Sequence, residues 1–517
     1  MHPDKPQISS FSKLQKQIVI VVCGLVTGMA FVDATALNVA LPAIQKSLSA
    51  TAADAFWVLE IYLLFLAALL MAGGALGDNW GRRRSLRLGV IAFAATSLAC
   101  ALAQDAGQLI LFRAAQGIGA ALMIPASLAM INASFAPEER GLAIGSWSAV
   151  TTLAIPLGPL IGGLAVDFAY WQLIFVINLP ISLLVLYLLQ KLPRPPFEPE
   201  QPAPIDVIGS IIITLSLGLL ITGLLEAAKE GVFLIWHLLT LGLGGALLIC
   251  FFVYEWHAKT PMLPPSLMKK PRFQIVSLQT FILFAGFQGS SLFINFLLIE
   301  TYGFSAFKAG LVQLPISIMV FFLSRPAGRW VGKYGPRGIL VVAGIVIAMA
   351  QFAISRYDGG GIWYLLLSMF TLGIGIGLMA APLTTVAMSA AGPGQDGIAS
   401  GVNNAVSRIG PLIAVAVLGY WQAVLFLPLL TEAVSDPAIP PFIRDYVLEN
   451  WRLMSAMPIP DDWPATWQEH MGALLDRVYG TTIKVILVGC AGLSFLAGMI
   501  ALGYRKTDSK ADSISDA

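Results

Sequence analysis

Fourteen stretches of this chain are apolar over the length of a bilayer crossing, and that pattern leaves few architectures open. They lie near residues 17–41, 55–77, 86–103, 107–132, 141–166, 172–190, 206–226, 233–254, 273–299, 308–331, 337–355, 362–390, 397–426 and 479–504. A transmembrane helix needs about 20 consecutive, mostly apolar residues. The expected fold is therefore an all-α polytopic membrane protein. Composition agrees: of 517 residues, 12% are charged and 57% hydrophobic, too little polarity to cover a soluble protein. A soluble enzyme, a nucleic-acid binder and a disordered scaffold are excluded on that ground, and a net charge of +2 supplies no basic field. The first apolar stretch is too long for a signal peptide and contains Asp33, so it reads as a retained helix.

Lysine and arginine orient the spans. With residues 1–16 in the cytoplasm, 21 basic residues fall on the inner face and 7 on the outer, and Arg113, Arg408 and Lys484 remain at membrane depth. An even number of helices puts both termini, 1–16 and 505–517, in the cytoplasm. Cys23, Cys100, Cys250 and Cys490 sit far apart in apolar runs, and the four histidines form no metal-spaced cluster. Neither a metal nor a cofactor is expected.

The chain repeats itself. GIGAALM at 117–123 returns as GIGIGLM at 373–379, and RGLAIG at 140–145 as DGIASG at 396–401, both at offset 256. GALGDNWGRRR at 74–84 is echoed by GRWVGKYGPRG at 328–338, offset 254. Duplication follows, with a six-helix bundle over 17–190 matched by another over 273–504. Parallel repeats of this kind are a known transporter plan. Helices over 206–255 have no counterpart and read as an inserted hairpin, reached by the Pro-rich linker 191–205 and left through a cytoplasmic loop, 256–272. A second insertion, 427–477, falls outside. Within it Phe442, Tyr446 and Met454 recur at helical spacing beside Ile443, Val447 and Trp451, which suggests a short amphipathic helix on the membrane surface or over a pore mouth.

Several charged and small residues stand where hydrocarbon makes them costly. Asp33 lies mid-helix in FVDATALNVALPAI at 31–44, and Arg113 opens RAAQGIGAA at 113–121. A charge at that depth costs about 2.5–3.5 kcal/mol on insertion scales and needs a partner or a cavity. Burial favours a protonated carboxyl, while a neighbouring guanidinium favours the ionised one; a pair of Asp33 and Arg113 would couple a proton to a charge movement. In GALGDNWGRRRSL at 74–86, Gly74 and Gly77 allow close helix approach, Gly81 suits a tight turn, and Asp78 stands where Arg82, Arg83 or Arg84 and a neighbouring helix N-terminus can pair with it. AIPLGPLIGG at 154–163 presents Gly158, Gly162 and Gly163 as a smooth face beside Pro159. GVNNAVSRIGPLIAVAV at 401–417 carries Asn403, Asn404 and Arg408.

In this order the motifs resemble those of the major facilitator superfamily, specifically its fourteen-helix drug:proton antiporter branch, from Asp33 to about residue 420. The resemblance implies a major-facilitator fold of 14 transmembrane helices, as two six-helix bundles plus the hairpin. It implies proton coupling through Asp33 and Arg113, and a cytoplasmic conformational latch at Gly74, Asp78, Gly81, Arg82 and Arg83. It further implies that the glycine face of Gly158, Pro159, Gly162 and Gly163 packs against a helix of the opposite half and seals the cytoplasmic side in the outward-open state. Asn79 replaces a basic residue of the latch motif, and Ala154 the first glycine of the antiporter motif. Gln116, Asn403, Asn404 and Arg408 are candidates for the substrate cavity. Two departures add Glu60, in WVLEIYLL at 57–64, and Glu300; each could hold a cation, carry a second proton or be a solvated rim residue. Trp57 and Tyr62 offer aromatic faces to a lipophilic cation.

The expected function is a proton-coupled secondary transporter that exports hydrophobic or cationic compounds by alternating access. The alternative is a dedicated exporter, or importer, of one metabolite, lipid or siderophore. Walker A is absent, since the sole Gly-Lys, Gly332-Lys333, is followed by Tyr334, so ATP is not the direct energy source. With no HExxH motif or nucleophile elbow, the chain does not read as an enzyme. Its expected partners are protons, a small-molecule substrate and the lipid bilayer, not nucleic acid. The transport unit is expected to be a monomer in the bacterial cytoplasmic (inner) membrane, and the acidic outer insertion leaves a periplasmic adaptor open as a further partner.

Overall fold

The computed structural model describes residues 11–135, 139, 143, 147, 157–168, 170–192, 206–391 and 396–504. Among these, 13 helices are long and apolar enough to cross a membrane. A shorter apolar helix, Leu157–Phe168, occupies the place of the fifth expected span. We label them α1 (Lys13–Ser47), α2 (Ala52–Trp80), α3 (Arg82–Ala101), α4 (Ala106–Ser134), α5 (Leu157–Phe168), α6 (Leu173–Gln190), α7 (Val207–Glu230) and α8 (Ile235–His257). The second half continues with α9 (Pro271–Thr301), α10 (Ala306–Val312 and Leu314–Tyr334), α11 (Pro336–Ser355), α12 (Ile362–Ala391), α13 (Asp396–Val434) and α14 (Ala465–Ile500). The linker over 193–205, the tails 1–10 and 505–517, and the approach to α5 at 148–156, with Ala154, lie outside the described residues.

Polar caps start these apolar helices at their boundaries. Ser12 and Gln15 form a capping box at α1, Thr51 and Asp54 another at α2, and Asp105 accepts from the amide of Gln108 at α4. Single glycines join α2 to α3 and α10 to α11. Gly81 has φ +92° and Gly335 φ +79°, a region that L side chains rarely adopt. These two positions are also equivalent by the 254-residue offset. The end of the bundle that carries them is called here the Gly81 end; the opposite one, with residues 48–51, is the Ser49 end.

The repeat is legible in the packing. In the first half α2 packs on α4, α3 on α4, and α6 on both α1 and α3. In the second, α10 packs on α12, α11 on α12, and α14 on both α9 and α11. The hairpin α7–α8 is held together by glycine contacts and by Ser216, whose hydroxyl donates to Gly244 O (2.9 Å). Helix α7 packs against both α2 and α13, one from each half, while α8 turns Ile235, Leu239 and Ile249 outward.

The second insertion is smaller as a loop than the sequence predicts, because α13 runs on to Val434 and α14 begins already at Ala465. Both helices extend past the apolar core. Between them a nine-residue helix, Pro441–Glu449, buries Ile443 and Val447 and leaves Phe442 exposed. It stops before Met454, which sits in a following 3₁₀ turn. This segment closes over the bundle: Gln45 of α1 donates to Leu453 O (3.2 Å), and Arg452 pairs with Glu230 at the end of α7 (2.9 Å). Its apolar face is satisfied by the protein, so it is a lid on the Ser49 end rather than a helix floating on lipid.

Gly81→Ala and Gly335→Ala are each expected to lower the thermal stability of the detergent-solubilised protein by about 1 kcal/mol or more, since alanine is strained at positive φ. Gly328→Ala, inside α10 with open space around its Cα, should leave stability unchanged or raise it by up to about 1 kcal/mol. Thermal unfolding of the three variants checks the contrast.

Candidate functional site

Five helices of the first half bring polar groups, four of them through side chains and α2 through a backbone carbonyl, to one buried point. Asp33 of α1 is fully buried, as is Arg113 of α4, and Arg113 Nη1 lies 2.5 Å from Asp33 Oδ2. Asp33 Oδ1 accepts from Gln116 Nε2 (3.0 Å) and from Asn178 Nδ2 of α6 (3.0 Å). Both amides also donate to the Ser97 hydroxyl of α3, at 2.7 and 2.9 Å. Arg113 in turn donates to Gln116 Oε1 (2.6 Å) and, through Nε, to the Val58 carbonyl of α2 (3.2 Å). Its guanidinium lies 4.2 Å from the centroid of the Tyr62 ring and 5.8 Å from that of Phe175. The carboxylate thus has three donors and one counter-charge in a site closed to solvent.

Such a pair is held by geometry rather than by net charge attraction alone. Desolvating both ions costs several kcal/mol each, and only well-aimed hydrogen bonds offset it. The site keeps polar capacity in reserve: Tyr62 Oη and Asn178 Oδ1 are buried without a hydrogen-bond partner. From the second half Arg408 of α13 approaches, its guanidinium 5.8 Å from the Phe31 ring of α1, with Nε buried and unpartnered. Among the described residues the second half has no such pair. The 256-residue offset takes Asp33 to Gly289 and Arg113 to Met369. The polar cluster there is neutral, with Gln351 donating to the Ser290 hydroxyl (2.8 Å) and to Gly286 O (3.2 Å).

The residues expected to line a cavity separate into groups. Gln116 belongs to the Asp33 cluster, and Tyr62 stacks on it. Asn403 is buried and accepts from the Thr280 hydroxyl of α9 (2.9 Å), whereas Asn404 is exposed. Trp57 is half-buried against the core. Glu60 points elsewhere: Phe56 and Leu64, one turn to either side of it, meet Gly419 of α13 and Gly218 of α7. Both Glu60 oxygens are fully buried without a partner. Glu300 lies in a π-helical turn, Leu297–Thr301, at the Ser49 end and pairs with Lys46 of α1 (3.1 Å). Sequence reasoning missed Ser97, Asn178 and Phe175. A lone amide in the apolar run NLPISLL at 178–184 is the signal that could have found Asn178.

The small-residue motifs also resolve. At the 74–84 segment the tightest contact is made by the residue just before it, Gly73, rather than by Gly74 or Gly77: a Cβ there would meet Ala121 O of α4 at 2.1 Å. The side chains of Asp78 and Asn79 lie outside the described residues. Arg82 opens α3, and Arg83 Nη1 donates to Leu192 O (2.7 Å). In the glycine face of α5, Gly158 and Gly162 pack on Thr35 and Ala36 of α1, in the same half, and Pro159 O faces Gly310 of α10. Gly163 alone of the three glycines meets the opposite half, at Phe307 of α10. That contact is at the Ser49 end. Asp167, one turn on, accepts from the amides of Ala306 and Phe307 (3.0 and 2.8 Å).

Known proteins agree with this architecture. The family profile described as Major Facilitator Superfamily matches residues 23–415. "Multidrug resistance protein Stp" of Mycobacterium tuberculosis (strain CDC 1551 / Oshkosh) is 31% identical over 475 residues, 89% of this chain and 84% of that protein. "Tetracenomycin C resistance and export protein" of Streptomyces glaucescens is 29% identical over 495 residues, 93% and 90% of the two chains. Among solved structures, a bacterial homolog of the human lysosomal transporter Spinster superposes with a TM-score of 0.68 at 17% identity, over 95% of this chain and 97% of that one.

Arg113→Ala leaves a buried carboxylate without its counter-ion and should cost about 3–5 kcal/mol of stability. Combining it with Asp33→Asn should recover much of that loss. A double-mutant cycle read by thermal unfolding checks the coupling, and additive losses would contradict it.

Proposed function

The chain belongs to the Major Facilitator Superfamily, and from that premise we propose that it is a proton-coupled antiporter that exports hydrophobic or cationic compounds by alternating access. The observation that carries this reading is the buried Asp33–Arg113 pair with its two amide donors. A proton arriving at Asp33 neutralises the carboxylate and removes the charge that holds Arg113. The freed guanidinium then turns to Gln116 Oε1, Val58 O and the Tyr62 face, which are already in contact with it. When the proton leaves, the pair re-forms. A cationic substrate near Asp33 favours the ionised carboxylate and so competes with the proton. That competition is the exchange an antiporter needs.

The remaining groups have supporting parts in this scheme. Tyr62, Trp57, Asn403, Asn404 and Arg408 line the path of the substrate. Glu60 and Glu300 lie off it, Glu300 as half of an ion pair between the halves. The Lys/Arg bias assigns the Gly81 end and both termini to the cytoplasm, in a multi-pass protein of the bacterial cytoplasmic membrane. On that assignment, Lys46–Glu300, Asp167 on the start of α10 and Gly163 against Phe307 together close the outer side. The latch at Gly74, Asp78, Gly81, Arg82 and Arg83 would act at the cytoplasmic side in the opposite state. The transport unit is a monomer, and the lid over 435–464 is the surface for a periplasmic adaptor.

One relative bears the name of a resistance and export protein for a single compound, tetracenomycin C. This favours, as a second reading, a dedicated exporter of one metabolite. A compound panel in proteoliposomes separates the two: broad efflux moves several unrelated lipophilic cations, dedicated export moves one structural class.

Asp33→Asn is expected to abolish transport driven by an imposed pH gradient while retaining substrate–substrate counterflow. Gradient-driven transport at the wild-type rate would remove Asp33 from the coupling role. Gly163→Leu, which cannot fit against Phe307, should bias the protein away from outer closure and cut the transport rate at least tenfold. Site-directed spin labels across the Ser49 end should report the wider separation.

A further inference from the structure

At the Gly81 end of the inserted hairpin two buried carboxyl groups meet, and neither belongs to the site described above. Asp206 caps α7, its Oδ1 accepting from the Gly209 amide (2.8 Å) and from the Tyr254 hydroxyl (2.9 Å). Glu255 lies in the last turn of α8, its Oε2 accepting from the Leu263 amide (2.8 Å). Each side chain is more than nine-tenths buried. Their other oxygens, Asp206 Oδ2 and Glu255 Oε1, are buried without a hydrogen-bond partner. Both turn to one point, the space above Gly209 that a side chain would otherwise fill: a Cβ there would lie 2.3 Å from Asp206 Oδ2 and 2.8 Å from Glu255 Oε1. Two carboxylate oxygens facing each other with no donor between them repel, and in such sites one proton is shared by the pair.

We propose that Asp206 and Glu255 form a proton-binding site that clasps the base of the inserted hairpin. Helix ends assign the proton. Asp206 stands at the N-terminus of α7, where the helix dipole favours an anion, and Glu255 at the C-terminus of α8, where it disfavours one. Glu255 Oε1 therefore carries the hydrogen and donates it to Asp206 Oδ2. The bond ties α7 to α8 and, through Leu263, to the segment that leads into α9. Loss of the proton to solvent leaves two negative charges in contact and loosens all three.

The groups that face the pair offer no substitute cation among the described residues. Tyr254 donates from α8, and Ser210 of α7 donates to the backbone oxygen of Asp206 (2.8 Å). From the 258–264 segment come the Leu263 and Met262 backbone amides, both toward Glu255, and the Met262 thioether, which takes the same Ser210 hydroxyl. His257 Nδ1 is directed at Val253 O of its own helix (2.8 Å), and Lys269 lies over the Trp256 ring.

The test uses the full-length protein in detergent, independent of any transported compound. Infrared difference spectra and thermal unfolding are recorded across a pH titration. The wild type is expected to lose, beyond any band that Asp33→Asn removes, a further protonated-carboxyl band as pH rises, in step with a fall in unfolding temperature. Glu255→Gln, whose amide N–H can donate to Asp206 Oδ2 but does not titrate, should lack that band and show no such fall. Asp206→Asn should behave alike and serves if the first variant folds poorly, and Asp33→Asn should keep both signals. Retention of the band and of the stability step in both dyad variants overturns the proposal. So does a wild-type step that calcium or magnesium abolishes, since the pair would then hold a divalent cation in place of a proton.

Discussion

An ion pair cannot sit in the middle of an apolar bundle unless several helices agree to hold it, and most of the first half is arranged around that requirement. Asp33 comes from α1, Arg113 and Gln116 from α4, Ser97 from α3, Asn178 from α6 and the Val58 carbonyl from α2. Each supplies a donor or acceptor that water would supply elsewhere. The charge makes the cluster costly to build, since either ion without the other would be a buried, uncompensated charge.

The second half shows what happens without this demand. Its fold is the same, down to the positive-φ glycine at the turn between α10 and α11, yet the equivalent positions hold Gly289 and Met369. Neutral amide and hydroxyl groups, Gln351 with Ser290 and Asn295 with Gln313, are enough to stitch its helices together. The duplicated scaffold thus serves as a frame, and the buried ion pair Arg113–Asp33 stands in the first copy. Arg408 is the exception, a cation of the second half that reaches the first at Phe31 and links the two copies near the charged cluster.

The hairpin shows how an insertion is accommodated. Helix α7 fills a seam between α2 and α13, so it touches both halves, while α8 shields it from lipid. Its two ends are tied differently: Arg452 of the lid holds Glu230 at the Ser49 end, and the Asp206–Glu255 contact closes the base at the Gly81 end.

Much of this was legible in the residues. Apolar length predicts the spans, because a bilayer admits little else, and the internal repeat predicts which helices correspond. Asp33 and Arg113 stand out from sequence because any charge at membrane depth demands an explanation. Asn178, Ser97 and Gly73 do not stand out, since polar-neutral and small residues are common in membrane helices and acquire meaning only from a partner on another helix. The tertiary structure alone decided three further matters. It turned the Gly158 and Gly162 face onto α1 and left Pro159 and Gly163 for the other half. It directed Glu60 away from Asp33, toward α7 and α13. It extended α13 and α14 beyond the apolar core and folded 435–464 into a lid. In each case the reason is the same: local sequence sets what a segment can be, but which face of a helix meets which neighbour depends on residues far along the chain.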